Sequence, residues 1–76
     1  MDSFWQMVEA LRALGPELPA LIGEAEWPQV KAELDRLVAG AEADPSQTPA
    51  LYDRLLQLLT GYPDAYRPLL EVAARG

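Results

Sequence analysis

The side chains that most often do chemistry in proteins are missing from this chain. Its 76 residues include no His and no Cys, so the commonest bases, nucleophiles and soft metal ligands are absent. Without Cys there is also no disulfide framework and no thiolate metal site. What remains is carboxylate and hydroxyl chemistry. Glu24 and Glu26 sit beside Gly23 in a turn, and Asp44 stands near Glu42. General acid–base work needs two carboxyls whose environments separate their pKa values. Acids in turns have no such environment and read as solvated surface. A calcium loop needs alternating oxygen ligands and a late Glu around a Gly, and "AEADPSQT", residues 41–48, does not supply that order. No Gly-rich phosphate loop is present. The expectation is a protein that is not an enzyme and carries no cofactor or metal.

One hydroxyl deserves a separate test. Acyl carrier proteins are acidic helical domains of this size that attach a phosphopantetheine arm to the Ser of an Asp-Ser-Leu stretch opening a helix. Here Ser46 stands in "DPSQT", with Pro45 before it and Gln47 after it, so the motif is missing and no arm is expected. The aromatics say more. Trp27 opens an apolar stripe and is expected to be buried. Trp5 projects off the stripe of its own helix, beside Glu9 and Arg12. It either packs on the last helix or stands open as an anchor of the kind enriched at partner interfaces. Tyr62 and Tyr66 bracket a turn and could line a shallow contact surface, though a structural role is the better reading.

The charge narrows the partners. Twelve acids against six bases give a net −6, which repels phosphate backbones and anionic membranes. Neither nucleic acid nor a membrane is expected as partner, and no small-molecule substrate. No run approaches the roughly 18 apolar residues of a membrane span, and the N-terminus lacks the basic start of a signal peptide; a cytoplasmic location is the default. The charge is uneven: −2 over residues 1–23, −4 over residues 24–47 and zero over residues 48–76. An acidic middle and an Arg-bearing final third could meet in two copies of one fold. The commoner alternative is an ordinary solubilising surface.

The elements that would position these groups are helices. Thirteen Leu and twelve Ala against seven Val, Ile and Thr together favour helix over strand. The length bounds one domain, residues 1–76. Phe4, Met7, Val8, Leu11 and Leu14 fall on one face of a first helix, capped by Asp2 or Ser3 and ended at Gly15 and Pro16. "GPELPALIG" allows only a short helix or turn anchored by Leu18, Leu21 and Ile22. Next come two similar cassettes, "WPQVKAELDRLVAG" at residues 27–40 and "TPALYDRLLQLLTG" at residues 48–61. Each has Pro in the first turn, a core stripe and a terminal Gly, which is the shared grammar of helix start, packing and stop. In the first, Trp27, Val30, Leu34, Leu37, Val38 and Ala41 form the stripe, and Lys31 lies one turn from Asp35. The second is expected to use Thr48 as its cap and Gly61 as a left-handed stop. Its wide apolar arc marks it as the central helix. Tyr66, Leu69, Leu70 and Ala73 make the face of the last segment, with a break at Pro68. The fold class is all-α, a compact bundle of five short helices, six at most.

In its length, in "LYDRLLQLLTGYPDAYRPLLE" and in its short helices stopped by Gly and Pro, the chain resembles the death-like and effector-associated adaptor domains of bacterial conflict and signalling systems. The resemblance implies a helical recruiter that binds a similar domain, like with like, and sits at the end of a larger bacterial signalling or immunity protein. It transfers no residue roles, and five helices depart from the six of the animal death fold. The contact would then join unlike patches of two such domains. The acidic candidates are Glu24, Glu26, Glu33 and Asp35, the basic ones Arg54 and Arg67, and Trp5 is the apolar anchor. The rival expectation is a small acidic immunity or antitoxin-like protein that covers an unrelated basic partner.

Overall fold

The computed structural model describes residues 3–75. Five helices follow one another: α1 Ser3–Ala13, α2 Leu18–Ile22, α3 Trp27–Ala43, α4 Thr48–Thr60 and α5 Pro63–Arg75, with a 3-10 turn at Pro45–Gln47 before α4. No strand occurs among the described residues, so the fold is an all-α bundle. Pro occupies the first or second position of α2, α3, α4 and α5 as Pro19, Pro28, Pro49 and Pro63. An N–H there has no intrahelical acceptor, so its loss costs nothing. The expected cap at Asp2 lies outside the described residues, and Ser3 is already helical.

Each long helix contributes a stripe to one contiguous core. α1 buries Phe4, Met7, Val8, Ala10 and Leu11; α3 buries Val30, Leu34, Leu37 and Ala41; α4 buries Leu55 and Leu59; α5 buries Ala65 and Leu69. Phe4, Leu55, Leu59 and Leu69 are the largest side chains wholly removed from water. α4 packs against α1, α3 and α5, which is what its wide apolar arc requires. Leu51, Tyr52, Leu56 and Leu58 extend that arc as half-buried contacts. α1 packs chiefly on α5, and α2 spans from α5 to α3. The Cα radius of gyration is 11.6 Å, close to the ~11.4 Å that a compact chain of this length should have.

The local punctuation differs from the sequence expectation in five places. Gly40 does not stop α3, which runs on to Ala43. Ala41 is 1% exposed and gains by continuing the stripe, while the missing Cβ of Gly40 faces Leu51 Cδ1 of α4 at 3.6 Å. Gly61 is not left-handed: its φ is −70°, and only Gly23, at φ 112°, has a positive φ among the described residues. Thr48 is not a cap. The 3-10 turn flows straight into α4, leaving Thr48 helical and 5% exposed. Asp44 does the capping instead, accepting from Ser46 N at 3.2 Å and Ser46 Oγ at 2.6 Å. Pro68 does not break α5, which is continuous through it; the burial of Ala65 and Leu69 on either side offsets the lost ladder bond. Lastly, Leu70 points outward at 42% exposure, and Ala65 takes the core position.

Candidate functional site

α3 carries the candidate surfaces on its two shoulders. At 100° per residue, its buried stripe is flanked on one side by Trp27, Lys31, Asp35, Val38 and Glu42, and on the other by Gln29 and Glu33. Each shoulder borders a groove. The first groove, of about 400 Å³, lies between α1 and α3, with Gly15 and Leu18 also in its lining. Val8, Leu11, Leu34 and Val38 line it, and Trp27 enters its wall. α1 and α3 both rest on α4 and scarcely touch each other, so the gap follows from the packing order. The second groove, of about 590 Å³, lies between α3 and α4, with Glu33 and Arg54 on its walls beside Leu37, Leu58 and Tyr62.

The expected site residues divide between these places. Glu33 and Asp35 do not form one acidic patch. Two residues apart on a helix they point about 160° apart, and they border different grooves. Asp35 accepts from Lys31 Nζ at 3.0 Å, as the spacing predicted, and Glu33 lies 3.4 Å from Arg36 Nη1. Glu24 is exposed in the turn before α3. Glu26 is exposed too, and its carboxylate lies beside the Tyr62 phenol. Loss of hydration first, and that neighbouring acid second, push the Tyr62 pKa up. Arg54 and Arg67 are both exposed and make no ion pair among the described residues. Arg54 borders the second groove; Arg67 stands on α5, which packs on α1, α2 and α4.

The two tryptophans are alike in burial, contrary to expectation. Trp5 is half-buried against the core, edge-on to Phe4 with ring centroids 5.2 Å apart and planes at 87°. Trp27 is not enclosed; it is half-buried at the edge of its stripe, where α1 stands away from α3. The first groove was not anticipated. Its signal was present in the spacing of Trp27, Lys31, Asp35, Val38 and Glu42, a second stripe beside the core one.

No group of three or more potential metal ligands converges among the described residues, and no helix is long and apolar enough to cross a membrane. The hydrogen bond from Ser46 Oγ, foremost, holds the Asp44 carboxyl below the usual carboxylate range, which marks a turn cap. Comparison with known proteins gives no match: no family model, no curated protein and no solved structure matches the chain.

Proposed function

We propose that this chain is a non-catalytic interaction module, an adaptor that recruits a similar helical domain, a second copy of itself included, through the groove between α3 and α4. The observation that carries the reading is the placing of Glu33 and Arg54 in that one groove, with Arg54 unpaired among the described residues. A face holding both signs of charge is complementary to itself under a two-fold rotation, so that each Arg54 meets the other copy's Glu33. The sequence pointed to unlike patches meeting head to tail; their coincidence in one groove favours the closed pair instead. Leu58 and Tyr62 add half-buried apolar surface. Exposed ion pairs contribute about 0–1 kcal/mol each, so two of them support a weak, salt-sensitive association.

The test is sedimentation equilibrium at low and high salt on the wild type, on Glu33→Lys and Arg54→Glu, and on the double variant. Self-association that weakens in each single variant and returns in the double one supports direct pairing of these residues. A wild type that is monomeric at every concentration and salt overturns the homotypic reading.

A further inference from the structure

The groove between α1 and α3 is a second surface, on the opposite shoulder of α3, and the self-pairing above leaves it unused. From Trp27 to Glu42 its α3 wall is 15 residue steps long, or ~22 Å at 1.5 Å per residue. That is room for about four helical turns. The inner lining is aliphatic, from Val8, Leu11, Leu34 and Val38, with the Trp27 ring in one wall. The outer edge is charged. This is the shape that receives an amphipathic helix through apolar residues spaced three and four apart. We infer that this groove docks a basic amphipathic helix from a partner protein, seated between α1 and α3.

Charge selects that occupant. The two cations on the edge are already neutralised within their own helices: Arg12 lies 2.7 Å from Glu9, and Lys31 lies 3.0 Å from Asp35. Glu42 has no ion pair among the described residues, which leaves one uncompensated negative charge on this edge. An incoming helix therefore meets a net negative edge around an apolar floor. A second copy is the poorer occupant. It brings another −6, and its one exposed large apolar residue among those described, Leu70, is followed by Glu71.

The probe is a helical Leu/Lys peptide of roughly 16 residues, long enough for four turns, with its Leu residues on one face. Two controls accompany it: a shuffled peptide of the same composition without an apolar face, and a Leu/Glu peptide with the face retained. In the Trp5→Phe variant, Trp27 is the only tryptophan and reports from the groove wall. The Leu/Lys peptide should shift Trp27 emission to the blue with saturation, and the Leu/Glu peptide should bind about tenfold or more weakly. Ala39→Arg places bulk and positive charge at an exposed groove position, so it should weaken binding by a similar factor with far-UV circular dichroism unchanged. Arg54→Glu lies on the other face and should leave binding intact, so this inference and the self-association reading fail separately. Equal binding of the patterned and shuffled peptides overturns the proposal. So does equal binding of the Leu/Glu peptide, an Ala39→Arg variant that binds like wild type, or a Trp27 signal that never saturates.

Discussion

Truncating Leu59 to Ala removes three carbons from a side chain that is 0% exposed. At ~0.8 kcal/mol per buried methylene, the transfer loss alone is about 2.4 kcal/mol. A cavity term adds to it, at ~24 cal/mol per Å³ of space left behind. Phe4, Leu55 and Leu69, equally enclosed, hold the surrounding core on three helices and limit its collapse. The total should be about 3–4 kcal/mol, against a whole stability of roughly 4–11 kcal/mol for a chain of this length. For a domain this small that lowers Tm by roughly 12–30 °C. Leu70→Ala is the matched control. It is the same chemical change at 42% exposure, with no cavity, and it should cost about 1–1.5 kcal/mol. Thermal melts by far-UV circular dichroism and urea titrations on both variants give the comparison. If Leu59→Ala lowers the melting temperature no more than Leu70→Ala does, α4 is not the centre of this core.

Two glycines should respond in opposite directions to Ala. At Gly40 the new Cβ meets Leu51 at an ordinary 3.6 Å and helix propensity favours Ala, so urea unfolding should show a gain of about 0.5–1 kcal/mol. At Gly23, φ 112° strains any Cβ, and the loss should be about 1 kcal/mol or more; a gain there would refute the turn geometry. Tyr62 should titrate above the ordinary phenol value of ~10 in a spectrophotometric difference against Tyr62→Phe, and Glu26→Gln should bring it down. Because the folded value is the raised one, its contribution to stability is full below ~10 and is lost as pH rises through the folded value. A Tyr62 that titrates at or below the ordinary value would remove the Glu26 contact.

The helices were legible because each long one repeats its apolar residues at 3.6-residue spacing, and α3, α4 and α5 each carry Pro in the first turn. The misread positions share a cause: a local preference overridden by packing. Gly40 resembles a stop, but Ala41 beyond it has a core site to fill. Thr48 resembles a cap, but the turn ahead of it is already helical and Asp44 takes that role. Pro68 resembles a break, but Ala65 and Leu69 on either side are both 0% exposed. For the site, Glu33 and Asp35 were grouped by nearness in sequence, although helical periodicity sets them on opposite shoulders. The groove between α1 and α3 was the least legible feature. The spacing of Trp27, Lys31, Asp35, Val38 and Glu42 marks its α3 wall, but the opening also depends on which helices do not touch, and no stretch of sequence states that.

The pairing of α1 with α5 sets the order in which this chain can mature during synthesis. The apolar face of Phe4, Met7, Val8 and Leu11 leaves the ribosome well before its chief partner, the face of Ala65 and Leu69. Until then α4 is the main helix available to cover α1, so part of that apolar face stays open to water. The fold thus closes like a clasp, with its first and last helices as the two halves. A nascent chain arrested before residue 63 should be recognised as unfinished and degraded, because the surface that hides Phe4 has not yet been made.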